Sequence, residues 1–308
     1  MPVLDELRPG WNDHVEDDIS EKIKWLNGDF HVENVFPWRN HLSSDVNLVG
    51  FTHSFFSQPL LFLRVRPGKH EQVARKLSGQ KYQWTGENSL SMENTTNLQQ
   101  LLEINAEVVI QDISSQQVGE LMQQAALPPL PLIWDCCAAS GGKSILAADL
   151  FHQSELTVSD IRPGILSNLR QRMKEAGLTA RESLVLDLTD PDAKLPAKIF
   201  DLVIADVPCS GSGTWGRTPE QLYHFNEEKI EYYAAMQAKI LENAARRVKP
   251  GGYLLYCTCS VFRAENEQQL EKFLRTNSFE KIAEKLISGY ERRSDTLYAA
   301  LLRKTSEV

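Results

Sequence analysis

Cys209 and Cys259 carry the clearest signs of chemistry in this sequence. Cys209 sits in DVPCSGSGTWGRTPE (206–220) and Cys259 in YCTCSVFRAENE (256–267). Pro208 fixes φ just before the first thiol, and the glycines after it let a ring or a sugar approach the backbone closely. The remaining cysteines are Cys136, Cys137 and Cys257. An adjacent pair at 136–137 and a C-x-C at 257–259 lack the C-x-x-C spacing with which two thiolates share a zinc ion, so no metal site is expected. Five cysteines, an odd number, in 308 residues fit a reducing compartment. Cys136 and Cys257 suit small apolar filler at strand ends.

A second feature is DCCAASGGKS (135–144), a turn of small residues between a strand and a helix. Such a turn brings backbone close to a ligand, and the helix N-terminus offers unpaired N–H groups to an anion. Its GGKS resembles the tail of a phosphate loop, but the first glycine of G-x-x-x-x-G-K-[ST] would fall on Cys137, which disfavours a P-loop NTPase. Asp160, Asp187 and Asp206 each close an apolar run. A carboxylate at the second strand end suits a ribose diol, and one at the third suits an adenine amino group. Three in one sheet favour an adenosine-containing ligand. The G-x-G-x-x-G of a dinucleotide fold is absent, so S-adenosylmethionine fits better.

Two thiols beside a methyl-donor pocket suggest covalent chemistry on a pyrimidine. C5 of cytosine is a poor nucleophile until a thiolate adds at C6 and makes the ring enamine-like. An acid is needed nearby as charge develops at N3.

These residues need a scaffold, and the sequence alternates strands with helices. The expected strands are PLIWD (131–135), LTVSD (156–160), SLVLD (183–187), FDLVIAD (200–206), YLLYCTC (253–259) and TLYAALL (296–302). The expected helices are KSILAADLF (143–151), Arg162 to Ala176 with Pro163 near its start, and Glu265 to Arg275. A long helix carries Tyr233, Met236, Ile240, Leu241, Ala244 and Val248 at helical spacing and stops before Pro250-Gly251-Gly252. This pattern predicts an α/β, doubly wound, parallel sheet with its ligands at the strands' carboxyl ends. Ahead of it LLFLRVR (60–66), HEQVARKL (70–77), Glu107 to Ile110 and a helix over 114–127 with Ser114 as N-cap predict a small α+β unit. Prolines at 128, 129 and 131 mark the junction. The expected division is an acidic helical extension (1–50, with a helix over Glu16 to Leu26), the small domain (51–127) and the large domain (128–308).

Together DCCAASGGKS, LDL at 186–188, DVPCSGSG and YCTCSV resemble the Sun/Fmu family of S-adenosylmethionine-dependent RNA cytosine-C5 methyltransferases, of the bacterial ribosomal RNA type. The resemblance covers at least 131–270, extends back through LLFLRVRPGK and VVIQDISSQQV, and reaches forward to SDTLYAALLRK. It implies a Rossmann-like class I methyltransferase domain with a mostly parallel seven-stranded sheet. It implies Cys259 as the nucleophile at C6, with Cys209 promoting loss of the C5 proton and breakdown of the adduct. Asp206 would contact the cytosine at N3 and its exocyclic amine, and Lys143 would lie near donor and base. Cys136, Cys137, Ala138, Ala139, Ser140, Gly141 and Gly142 would wrap the methionine part, Asp160 would bind the ribose and Asp187 the adenine edge. Ser140 replaces the proline usual in the family. It permits the same turn, and its hydroxyl would be free to cap the helix. DNA enzymes of this chemistry use a Pro-Cys-Gln cysteine. Here Pro208-Cys209 is followed by Ser210-Gly211 and a second cysteine exists, which favours RNA.

Ribosomal RNA is the expected partner and transfer RNA the near alternative. A non-catalytic RNA-binding assembly factor of the same fold is disfavoured by the intact Cys209, Cys259, Asp206 and Lys143. Arg64, Arg66, Lys69, Arg75, Lys76 and Lys81, followed by Tyr82 and Trp84, form a candidate phosphate-binding stretch, with a solvated helix face as the plainer reading. The net charge of −8 does not oppose this. Residues 1–33 hold nine acids and three bases, leaving 30 bases and 32 acids elsewhere. At 42% apolar and 24% charged, the chain has the composition of a folded soluble protein. With no apolar run of membrane-spanning length and no secretory leader, a cytoplasmic location is expected. The chain ends soon after the last expected strand, which predicts no further C-terminal RNA-binding module.

Overall fold

The computed structural model describes residues 10–14, 17, 19–25 and 31–305. The α/β architecture follows from the strand ladders. β5 (Leu132–Asp135), β6 (Glu155–Asp160), β7 (Glu182–Val185), β8 (Phe200–Asp206), β9 (Val248–Thr258), β10 (Phe279–Ile287) and β11 (Leu297–Lys304) form one sheet in the order β10-β11-β9-β8-β5-β6-β7. The five strands β5 to β9 run parallel, whereas β11 pairs antiparallel with β9 and β10. The order reverses at β5, flanked by β6 and β8, so the crevice of the sheet opens at the carboxyl end of β5.

Both faces of this sheet are buried. On β8, Leu202 and Ile204 enter one apolar cluster while Val203 and Ala205 enter the other. The same alternation on β9 sends Leu255 and Cys257 one way, Leu254 and Tyr256 the other. Two expectations shift here. β9 does not begin after Pro250-Gly251-Gly252 but runs through it, with Gly251 at φ 75° and a pairing irregularity opposite Phe200 to Leu202. A Cβ on Gly252 would lie 3.1 Å from three backbone oxygens, so the glycines make a bulge where strands approach closely. β10, with its sequence FEKIAEKLI, was not foreseen. It is the sheet edge, and its Glu280, Lys281 and Lys285 face solvent, which discourages pairing with another chain.

The helices of the large domain are α5 (Gly142–Leu150), α6 (Pro163–Glu175), α7 (Pro219–His224), α8 (Glu228–Ala245) and α9 (Glu267–Thr276). The small sheet has the order β2-β3-β1-β4 and is antiparallel: β1 (Leu61–Val65), β2 (Gln83–Gly86), β3 (Ser89–Met92) and β4 (Val108–Ile110). α3 (His70–Lys76) covers it through Val73 and Leu77. α4 (Ile113–Met122) is capped by Asp112, whose side chain accepts from the Ser114 N–H, and not by Ser114 as expected. Its Val118, Leu121 and Met122 pack into the large domain's core, so this helix belongs by packing to the large sheet.

Of the acidic N-terminal region, α1 (Ile19–Trp25) falls within the expected helix, whose ends at 16 and 26 lie outside the described residues. Residues from 31 onward, including α2 (Leu48–Ser54), pack on the large domain. Phe36 and Phe51 join Trp215 and Phe262 in a buried aromatic cluster, and Ser43 N–H donates to Val261 O at 2.8 Å. Among the described residues no helix is long and apolar enough to cross a membrane.

The small sheet is fastened to the large domain by buried arginines. Arg64 and Arg66 on β1 and its end both pair with Asp149 of α5, all three side chains being at most 10% exposed. Arg64 also donates to Gln111 at 2.8 Å, and Arg66 to the carbonyls of Asn105 and Ala176 at 2.7 and 3.0 Å. A buried charge deprived of its partner is costly. Asp149→Ala is therefore expected to lower the unfolding free energy by about 3–5 kcal/mol in chemical denaturation, and a loss below about 1 kcal/mol would contradict the clamp.

Candidate active site

The carboxyl ends of β5, β6, β8 and β9 surround a cavity of about 630 Å³. Cys136, Cys137, Ala139, Asp160, Asp187, Asp206, Cys209 and Cys259 all line it, together with Tyr232, Met236 and Ile240 from α8. The parallel register puts Asp206, the last residue of β8, opposite Cys257. Three residues on is Cys209, and two residues beyond Cys257 is Cys259. The two sulfurs lie 3.2 Å apart and share one hydrogen bond. That bond first, then burial and the neighbouring Cys259 and Glu265, hold the Cys209 thiol well above the ordinary cysteine range. Cys257 is fully buried beside them, and burial pushes its thiol up as well. Cys136, which also lines the cavity, is driven the same way chiefly by burial.

Lys143 stands in the first turn of α5. The chain can turn into that helix because Gly141, its N-cap, adopts φ 86°, and a Cβ there would lie 3.1 Å from Leu169. The Lys143 ammonium donates to Asp206 at 2.6 Å. Burial opposes its charge, but Asp206 and the nearby cysteines favour it, and the balance raises Lys143 above the usual lysine range. The Lys143 side chain is 8% exposed and that of Asp206 31%, so the free carboxylate edge of the pair faces the cavity.

Asp160 ends β6 and is nearly buried. Its carboxylate accepts from the Ala139 N–H at 3.0 Å and from the backbone and guanidinium of Arg162 at 2.9–3.1 Å. Burial works against its charge, yet these donors outweigh it and hold the carboxyl below its usual value. Ala139 reaches it by adopting φ 44°, a left-handed conformation rare for a non-glycine residue. The Arg162 side chain that pairs with Asp160 is 60% exposed. Asp187 is exposed, two residues past the end of β7, and accepts from Thr189 through its N–H and hydroxyl. Asp135, at the end of β5, is buried. Burial first, then the charges of Asp206 and Asp160, push it up to about 7, against the hydrogen bond from Ser144.

Three expectations change. Ser140 does not cap α5; its carbonyl and hydroxyl instead accept from Arg172 at 2.7 and 2.9 Å. Ala138, Gly141 and Gly142 shape the turn from behind, Ala138 being 5% exposed. Arg64 and Arg66 do not face solvent: they are held by Asp149 in the interior, which rules both out as phosphate ligands. Lys76 is exposed but engaged by Glu107, while Arg75 and Lys81 are exposed and Lys69 partly so. Trp84 stacks on His70 at 4.3 Å, and both Tyr82 and Trp84 pack against the small core.

Two site residues were missed. Glu265 and Asn266 are fully buried and knit the two cysteine loops together. Their signal was local: a Glu-Asn pair shortly after the Thr-Cys-Ser step, just ahead of α9.

Ribosomal RNA small subunit methyltransferase B of Xanthomonas campestris pv. campestris is 37% identical over 173 residues, 55% of this chain and 38% of that protein. The protein of the same name from Salmonella arizonae is 30% identical over 212 residues, 64% of this chain and 47% of that one. The chain thus spans less than half the length of these relatives. A solved methyltransferase homologue from Pyrococcus horikoshii shares the fold, with a TM-score of 0.73 at 19% identity over 93% of this chain and 99% of that one. The family described as 16S rRNA methyltransferase RsmB/F matches residues 126–296, more than half of the chain and all of the cavity's lining, and the chain belongs to that family.

Proposed function

We propose that the chain is an S-adenosylmethionine-dependent RNA cytosine-C5 methyltransferase acting on 16S ribosomal RNA in the cytoplasm. The observation that carries this reading is the pair of sulfurs 3.2 Å apart beside the Lys143–Asp206 ion pair, at the mouth of one cavity. The residues present fit the methyl donor. About 630 Å³ is within the ~300–1,000 Å³ usual for small-molecule sites. Asp160 and Asp187 line the cavity and supply carboxylate acceptors suited to an adenosine's hydroxyls and amino group, and Cys136, Cys137 and Ala139 of the turn line it beside them.

When bound, S-adenosylmethionine supplies an electrophilic methyl group. The chain's own residues do the rest. The Cys259 thiolate forms a bond to C6 of the cytosine, and the ring's displaced electron pair makes C5 nucleophilic. Asp206 accepts from the exocyclic amine, and the Lys143 ammonium offsets the charge developing toward N3. After C5 has gained its methyl group, the C5 proton passes to solvent, its C–H electron pair restores the C5–C6 double bond, and the S–C6 bond breaks with its electron pair returning to the Cys259 sulfur. Cys209, adjoining that sulfur, promotes this last step.

With a 16S ribosomal RNA transcript and labelled methyl donor, Cys259→Ala is expected to lose methylation and Cys209→Ala to accumulate a protein–RNA adduct visible on a denaturing gel. Normal turnover by Cys209→Ala would refute the division of labour. For RNA binding, neutralising Lys69, Arg75 and Lys81 together is expected to weaken the complex and flatten its salt dependence by about 0.7–0.9 in log–log slope for each phosphate left without its cation. An unchanged slope would remove this stretch from the RNA surface.

A further inference from the structure

Glu265 lies between α8 and the start of α9 and is fully buried. Three donors converge on its carboxylate. Ser210 N–H and Gln237 Nε2 reach Oε2 at 2.8 and 3.0 Å, and the Ser260 hydroxyl reaches Oε1 at 2.8 Å. Burial pushes the carboxyl up, and these donors pull against it. Ser210 directly follows Cys209, and Ser260 directly follows Cys259. Their hydroxyls lie 3.1 Å apart, with the Ser212 hydroxyl 3.0 Å from the first and 3.2 Å from the second. On the other side of Cys209, the Pro208 carbonyl accepts from the same Gln237 amide at 3.0 Å. Asn266 completes the grip: its Nδ2 donates to Ser260 O at 2.9 Å and its Oδ1 accepts from the Thr258 hydroxyl at 2.5 Å. Each cysteine is therefore bracketed on both sides, and one carboxylate is common to both brackets.

We propose that Glu265 is the positioning residue of the cysteine pair, tying the residue after each thiol into one buried cluster so that the sulfurs stay 3.2 Å apart across one shared hydrogen bond. This deepens the methyltransferase reading and rests on it for its catalytic meaning. Titratable groups surround the pair. Facing Cys209 are Cys259, Glu265, Tyr233 of α8 and Tyr256 of β9; Tyr233 also faces Cys259, and Lys143, paired with Asp206, lies toward Cys257 and Cys259. A negative neighbour disfavours ionisation of Cys209. Of these groups, Glu265 is the carboxylate bonded to both loops.

The test uses the intact chain and needs no RNA. Iodoacetamide labelling of Cys209 and Cys259 is followed by peptide mass spectrometry across a pH series, with Cys137 as reference. Glu265→Gln keeps the side chain's shape and removes its charge. It is expected to raise Cys209 labelling about tenfold near neutral pH for each pK unit released, with less change at Cys259. Glu265→Ala is expected to raise labelling of both, since the spacing is lost. Equal labelling of Cys209 in wild type and Glu265→Gln, across the whole pH series, would overturn the proposal even if methylation fell. If labelling shifts as expected but neither protein methylates RNA, the positioning role stands and the functional reading fails.

Discussion

Asp206 faces Cys257 across two parallel strands, and the site exists because that register holds. Side chains alternate along a strand, so a slip of one residue would turn the cysteine loop's entry away from the cavity. The register is set upstream. Between Phe200 and Leu202 the pairing advances five steps along β9, from Val248 to Tyr253, against two along β8. Pro250, Gly251 and Gly252 absorb that excess as a bulge. From Tyr253 onward the two strands march in step to Asp206 and Cys257. A segment that punctuates the sequence like a helix stop is thus what aligns the active-site ends of the strands.

Charge at this edge is distributed along the thiol pair. A nearly buried ammonium, Lys143, sits toward Cys259 and is matched by Asp206, while a fully buried carboxylate, Glu265, sits toward Cys209 and is matched by three hydrogen-bond donors. Buried charges persist only when so satisfied. The two thiols differ in environment although their sulfurs lie 3.2 Å apart. The glycines at 141 and 142 enter the same account, because they deliver Lys143 at the first turn of α5.

Much of this was legible in the sequence because its causes are local. Apolar runs closed by aspartate mark β6 and β8, and the positions of Cys209 and Cys259 just past strand ends follow from the runs before them. Asp187 shows the limit: β7 stops at Val185, so the carboxylate stands beyond the strand. What could not be read depends on how distant segments meet. Whether a basic residue faces water or Asp149 is decided by how the small sheet docks, and Arg64 and Arg66 look the same as Lys81 in a one-dimensional pattern. Glu265 has no periodicity to betray it. Ser140 has the residue type of a helix cap, but Arg172 of α6 claims it.

The buried arginines also bear on how RNA would be held. Docking the small domain consumes Arg64 and Arg66, and Arg172 bridges from α6 to Asn105 of the small domain at 3.2 Å while donating to Ser140 in the turn after β5. The small domain is therefore joined through side chains to the turn that shapes the cavity. Its exposed cations, Arg75 and Lys81, belong to a body whose position relative to the cysteines is fixed by buried ion pairs instead of by a tether. Phosphates gripped by that body would lie at a set distance from the target base. Binding energy gained far from the reacting carbon could then act on its placement, which a flexibly attached domain could not achieve.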